Sequence, residues 1–379
     1  MTADVGRRTQ DAGPLPPLVA AHRFVSTWGI WAAFAALAIL VPVFYSLGWI
    51  GATSVNTLGR YAAVALVALG LDLVWGYTGI LSLCQMFFFT LGGYCFGLYL
   101  CLHGRQNADG IPDALARVSS QVSGLELPWF WHPFDWAPLA ILLVFVIPGL
   151  AAFIFGWLAF RSRVRGVYFS IITQALTYIG VNVFRLNQIQ LCGTNGLTDF
   201  EFMFGLNVRS DAVKTGIAVA TIVVLAGAYA LARLLTSTRT GRVLVAVRDS
   251  ESRLRFAGYQ PVAYKTAIFT LGAVFAAVGG ALYVPQNGII TPSKMEPIES
   301  IIIVVMVALG GRGTLTGAIL GCFAVSYLYG ILTSIAADAW PFVLGGIFIV
   351  VTLFFPGGIV GAWRKLGDHL EARSRKAAP

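Results

Sequence analysis

A series of apolar runs decides what this chain can become, because most approach the roughly 20 residues an α-helix needs to cross a hydrocarbon core of about 30 Å. They fall at 27–50, 57–75, 80–102, 137–160, 166–184, 215–236, 266–289, 315–336 and 342–360, with a shorter run at 299–312. With 57% hydrophobic and 11% charged residues, little sequence is left over for a soluble domain. The chain is therefore predicted to be an all-α, polytopic helical membrane protein, with about ten transmembrane or part-membrane helices, some of them interrupted. Residues 1–26 are expected to form a disordered cytoplasmic tail, 27–362 the membrane domain, and 363–379 a second cytoplasmic tail.

Charge gives the orientation. If all the runs cross and the polar stretch 237–265 is cytoplasmic, both termini lie in the cytoplasm. Most of the 26 Lys and Arg then fall inside, including Arg161, Arg163, Arg165 and the tail residues Arg364, Lys365, Arg373, Arg375 and Lys376. Asp109, Asp113, Glu126, Asp135, Asp199, Glu201 and Asp211 fall outside. That distribution satisfies the positive-inside rule, so the net charge of +9 reports topology and not nucleic-acid binding. The N-terminal stretch holds Arg7, Arg8 and the Pro14, Pro16, Pro17 cluster without an A-x-A-like cleavage site, and reads as a tail and not a signal peptide.

Several chemistries lack their residues. There is no G-x-x-x-x-G-K-[ST] and no Rossmann glycine fingerprint, and the Gly310–Thr314 cluster has no lysine to reach a phosphate. The chain is expected to bind no cofactor, and no metal: its four histidines are scattered and its five cysteines form no C-x-x-C. Neither G-x-S-x-G nor H-E-x-x-H occurs, which disfavours an intramembrane enzyme. Asp72 is the one acid well within a run, near its inner end, where interfacial solvation or a helix–helix hydrogen bond explains it better than a proton relay.

The stretch 237–265, STRTGRVLVAVRDSESRLRFAGYQPVAYK, is basic and polar between two apolar runs. Its centre reads as a short helix. Asp249 or Ser250 supplies the N-cap, Glu251 the first turn, and Gly258 a left-handed C-terminus. So short a helix does not persist alone in water, so either the membrane domain or a docked soluble subunit must hold it. Asp249, Glu251, Arg253, Arg255 and Gly258 are the candidate contacts to a partner. An ordinary positive-inside loop is the alternative.

Three segments are candidates for a solute path. In 166–184, Ser170, Gln174, Tyr178 and Asn182 recur every four residues, which reads as one polar helical face turned to other helices or to water. In 76–94, GYTGILSLCQMFFFTLGGY, glycines bracket Ser82 and Gln85; in 307–322, Gly310-Gly311-Arg312-Gly313-Thr314 interrupts a run. Interrupted helices at membrane depth line protein or a water-filled cavity. Helix–helix hydrogen bonding and glycine packing account for the same residues without any solute. The polar loop around Asn187, Gln188, Gln190, Asn195 and Asp199 is expected to face outward, meeting a delivery protein, gating an entrance, or simply turning the chain.

These motifs, taken in order, resemble the membrane subunits of ABC importers for branched-chain amino acids and urea. The resemblance is carried by LVWGYTGILSL with LGGY at 74–94, RGVYFSIITQALTY at 165–178, GTNGLTDF at 193–200, AVRDSESRLRFAGYQPVAYK at 246–265, FAAVGGALY at 275–283 and ALGGRGTLTGAILG at 308–321. TQALTY, GTNGLTDF, ITPSKMEPIESI at 290–301 and GGRGTL look like the urea branch, closest to the permease subunit of the urea transporters. The resemblance implies a second homologous permease, two ABC ATPase subunits that carry ATP and Mg, and an extracytoplasmic solute-binding protein. It makes 237–265 the coupling segment and implies a bacterial inner (plasma) membrane as the location.

Two places depart from the pattern. Cys84, Gln85 and Met86 stand where the family usually has Gly-His-Gly, and Arg253 and Leu254 replace a small pair in the coupling segment. Urea is neutral and planar, with one carbonyl acceptor and four N–H donors, so its path calls for amides and hydroxyls: Gln85, Ser170, Gln174, Tyr178 and Asn182. The alternatives are a branched-chain amino acid or short-chain amide importer and, from another class, an ATP-independent amide channel.

Overall fold

Two backbones meet where Gly70 and Gly272 face each other, and the rest of the bundle is arranged around that contact. A Cβ on Gly70 would sit 2.6 Å from the Gly272 carbonyl oxygen, so only glycine permits the approach. The computed structural model describes residues 17–49, 51–105, 112–113, 127–164, 166–335, 340–354, 357–361 and 363. Its helices are α1 (Pro17–Ser46), α2 (Ala52–Leu71), α3 (Gln85–Leu102), α4 (Ala137–Arg161), α5 (Val167–Phe184), α6 (Asp211–Ser237), α7 (Arg239–Phe256), α8 (Pro261–Asn287), α9 (Pro297–Gly310), α10 (Leu315–Ile335) and α11 (Trp340–Phe354).

Helix α8 is the axis of the bundle, packed against α2, α3 and α4. Small residues make the packing close: Gly92 of α3 lies on Ala277, and Gly279 lies on the Ala63 carbonyl. Leu66, Leu69, Phe88, Phe89, Phe169 and Phe269 fill the interior between the helices. The outer surface is apolar as well. Leu142, Leu150, Phe153 and Leu158 of α4 are all exposed, as a lipid-facing helix requires.

Among the described residues, eight helices are long and apolar enough to cross a membrane, and two apolar helices are shorter. The expectation from sequence was nine full runs and one short one. Helix α9 keeps the short status: its 14 residues span about 21 Å, less than a hydrocarbon core. The run at 342–360 is the difference, since its described helix ends at Phe354, just before the Pro356-Gly357-Gly358 sequence. At the other end, α1 starts at Pro17, inside the stretch 1–26 expected as a disordered tail. Proline is well placed at a helix start, and Leu18 to Ala21 can continue the helix. Residues 1–16 and, apart from Trp363, the expected tail 363–379 lie outside the described residues.

Both expected interruptions exist. Helix α2 runs into a π-helical turn at Asp72–Gly76, and the chain is irregular from 79 until α3 begins at Gln85. Gly311 (φ 116°) and Gly313 (φ 77°) break the chain between α9 and α10. The loop between α5 and α6 carries a small hairpin, β1 (Phe202–Met203) with β2 (Leu206–Asn207). A pair of backbone hydrogen bonds, Leu197 N–H to Ile290 O and Ile290 N–H to Leu197 O, clamps that loop to the segment before α9.

Candidate solute pathway and coupling segment

The polar segment after α6 folds as a kinked helix. Ser250 has extended backbone (φ −163°, ψ 92°), so α7 is two helices joined at the residue expected as a cap. The second ends as the sequence predicts: Gly258 is left-handed (φ 86°), its N–H bonds Arg255 O, and Tyr259 N–H bonds Leu254 O, a Schellman motif. The stretch from Arg239 to Asp249, expected as loop, is helical too. Its buried Gly241, Leu244 and Val247 seat it on the membrane domain, which supplies the tertiary contact that a polar helix needs.

The membrane domain itself holds the short helix. Glu251 accepts from Arg255 at 2.6 Å and from Lys265 at 2.7 Å, and both Glu251 and Lys265 are nearly buried. Glu251 and Arg255 therefore brace the segment from within. Asp249, Arg253 and Gly258 lie on the exposed side, and Asp249 pairs with Arg248 at 3.1 Å. The most prominent group there is one the motif reasoning passed over: Phe256, 92% exposed.

Arg248 was also missed, and it is the link inward. Its Nη1 donates to the Gly76 carbonyl at 3.0 Å. The same end of α2 receives Arg312, whose guanidinium donates to the Trp75 carbonyl and lies 4.9 Å from the Trp75 ring centroid. Asp72 Oδ1 accepts from Gly313 N–H at 2.7 Å, a backbone donor in the break between α9 and α10, and Asp72 is fully buried, so it is held by a hydrogen bond between segments and not by interfacial solvation. Helix α7, the π turn and the break before α10 thus form one hydrogen-bonded cluster.

The predicted solute-path residues separate. Ser170 is buried and donates to the Leu81 carbonyl, while Thr173 accepts from Leu83 N–H, so α5 satisfies the unwound backbone between α2 and α3. Gln174 is half-buried; Tyr178 (65% exposed) and Asn182 lie at the surface, with Asn182 donating to the Tyr178 carbonyl. The single face expected from this spacing is corrected by helix geometry. Four residues overshoot one turn by about 40°, so the row winds by about 120° from Ser170 to Asn182. The buried face is Phe169, Ser170, Thr173, Thr177, Gly180 and Val181, so of the predicted row only Ser170 belongs to it. Gln85 opens α3 fully buried, with neither amide atom hydrogen-bonded.

Beside Gln85 two helix starts converge: Met86 N–H of α3 donates to the Ser300 hydroxyl in the first turn of α9. Next to them lies a cavity of about 310 Å³ between α2, α3, α8, α9, α10 and α11. Lys294 and Glu299 line it and pair at 2.7 Å. Burial works against the Lys294 ammonium, but the Glu299 carboxylate and the oxygens of Tyr283 and Tyr329 outweigh that loss and hold its pKa above the ordinary lysine value. The sequence reading counted no buried acid near the path other than Asp72, because residues 292–301 follow no helical period that would bring Glu299 to Lys294.

The Branched-chain amino acid transport system / permease component model matches residues 53–352, a stretch running from α2 to α11. The chain belongs to this family. Two relatives are permeases of high-affinity branched-chain amino acid transport systems. The Escherichia coli protein LivM is 24% identical over 86% of this chain and 73% of its own length. The Pseudomonas aeruginosa protein BraD is 24% identical over 81% of this chain and 94% of its own. An autoinducer 2 import system permease, LsrC of Salmonella typhimurium, is 27% identical over 57% of this chain and 62% of its own. No solved structure matches the chain. As a family member it is an ABC-type membrane permease, a component of a transporter.

Proposed function

We propose that this permease forms the membrane path of an ATP-driven importer for urea, together with a second homologous permease, two ATPase subunits and an external solute-binding protein. ATP and Mg act on the ATPases, and both termini of this chain lie in the cytoplasm. The coupling half of the reading rests on α7, a kinked helix that presents Phe256 outward and is wired inward through Arg248 to the end of α2.

One observation carries the choice of urea: the four segments in which the chain looks like the urea branch meet around α9. TQALTY lies on α5, which touches both α9 and the turn before it; GTNGLTDF is clamped to Ile290; 290–301 leads into α9; and GGRGTL ends it. The surface row Tyr178 and Asn182 then faces the second permease, where its polar groups would otherwise meet lipid.

Movement follows the wiring. Closure of the ATPases on Phe256 pulls α7, and Arg248 transmits the pull to the π turn at Asp72–Gly76. Through Gly313 and Arg312 the turn is joined to the base of α9, whose first turn borders the cavity. Replacing Gln174 with Leu is expected to lower urea flux in the assembled importer without loss of assembly; unchanged flux removes Gln174 from the path.

A branched-chain amino acid is the second reading. The apolar cavity wall of Val64, Phe89, Ile302 and Met306 favours it, as do the names of LivM and BraD. Parallel uptake of labelled leucine decides between them.

A further inference from the structure

The cavity beside α9 has the chemistry of a solute station. Its polar end is the Lys294–Glu299 pair with Tyr283 and Tyr329 close by; the remaining lining is largely apolar and includes Met86 and the small hydroxyl of Ser326. Lys294 has three N–H donors and Glu299 has two acceptor oxygens, and a single mutual contact leaves hydrogen-bonding capacity on both. The pair is neutral as a whole. An anion or a cation entering alone would leave one member of the pair without its counter-charge in a mostly apolar space. A zwitterion can bridge the pair as well, but it brings two further charges into a mostly apolar space, at a desolvation cost that a neutral amide does not carry.

An amide suits the pair better. It presents a carbonyl acceptor and an N–H donor on one planar edge, so it can bridge Lys294 and Glu299 while both stay charged and partnered. The room exceeds what urea needs. A volume of about 310 Å³ is roughly ten times a water molecule's share of the liquid, whereas urea has only four heavy atoms. Beyond the polar end, the space is walled by Val64, Phe89, Ile302 and Met306.

We propose that this cavity is the site at which the permease holds its solute, that Lys294 donates to the solute carbonyl and Glu299 accepts its N–H groups, and that the apolar wall admits a short aliphatic substituent. Short primary amides such as propionamide are then solutes alongside urea; this rests on reading the chain as an importer permease for an uncharged amide. Release belongs to the same arrangement. Glu299 sits in the first turn of α9, and the opposite end of α9 is tied to the coupling cluster, so a tilt of this one rigid helix changes the Lys294–Glu299 geometry.

The test uses the complete importer with its binding protein in proteoliposomes, and two readouts. In the first, Glu299→Gln and Lys294→Met are compared with the parent for uptake of labelled urea and propionamide, with binding-protein-stimulated ATP hydrolysis as the check on assembly. The expected result is uptake lowered about tenfold or more, as for loss of a hydrogen bond to a charged group, with hydrolysis retained. In the second, Ser326→Cys is placed in the cavity and its rate of modification by a small thiol reagent is measured, above the rate of the parent protein, with propionamide, urea or leucine present.

Protection by propionamide and urea but not by leucine is expected. Uptake by Glu299→Gln equal to the parent, or protection by leucine alone, overturns the site. Failure of the two readings is separable. If the parent imports urea while no amide protects the cavity, the site is wrong and the importer reading stands. If amides protect the cavity while the parent imports no urea, the site stands and the urea assignment falls.

Discussion

The Arg248 guanidinium and the Gly76 carbonyl, 172 positions apart in the chain, are joined by a hydrogen bond of 3.0 Å. Arg248 belongs to α7, the proposed coupling helix, and Gly76 to the π turn that ends α2, so a force on the first reaches the second without passing through a flexible loop. A Cβ on Gly76 would lie 2.6 Å from the Gly313 nitrogen, which shows how tightly that turn is seated on the break between α9 and α10.

Arg248→Ala should therefore uncouple the machine more than it weakens it. Coupling losses of about 0.5–2 kcal/mol are typical for residues along such a connection, or roughly two- to thirtyfold in coupled transport. ATP hydrolysis by the assembled importer is expected to persist while solute moved per ATP falls by that factor. An unchanged ratio would remove Arg248 from the transmission path.

Phe256, 92% exposed, makes no structural contribution that its loss could damage. Phe256→Ala should leave the thermal stability of the isolated permease unchanged and weaken ATPase association about tenfold or more, as truncation of a buried interface anchor does. Copurification of the ATPases at several subunit concentrations measures it.

Glu251 gives the opposite pattern. It is a shared acceptor for Arg255 and for nearly buried Lys265, so Glu251→Ala withdraws a partner from a buried cation. A loss of about 3 kcal/mol is expected, seen as a lowered unfolding temperature of the purified permease even without ATPases. If stability holds and only ATPase binding falls, Glu251 serves the partner and not the fold.

Gly70→Val tests the packing at the centre of the bundle. The added side chain meets the Gly272 backbone, and backbone cannot swing aside as a side chain can. The variant should give little monodisperse protein in detergent, as judged by size exclusion, whereas Gly227→Ala on α6, with open space at its Cβ, should behave as the parent does.

The fold was largely legible because membrane helices announce themselves by length and apolarity, and the two interruptions by glycine clusters. The short helix that ends at Gly258 was legible too, since Glu251 and Gly258 carry local helix-end chemistry, whereas the helical turns from Arg239 to Asp249 were not. What could not be read was long-range. The Arg248–Gly76 bond has a backbone acceptor with no side-chain signature, and Lys294 meets Glu299 only because a 3₁₀ turn at Pro292–Met295 precedes α9. The four-residue polar row on α5 misled for a geometric reason: buried faces follow mixed steps of three and four, and Thr173 and Thr177, not Tyr178, obey them.

The most direct test of the account is uptake of labelled urea, with leucine in parallel, by proteoliposomes holding the complete importer and its binding protein. ATP-dependent accumulation of urea without leucine is predicted. Accumulation of leucine without urea would contradict the solute assignment, and uptake of urea that proceeds equally without ATP would contradict the coupled machine itself.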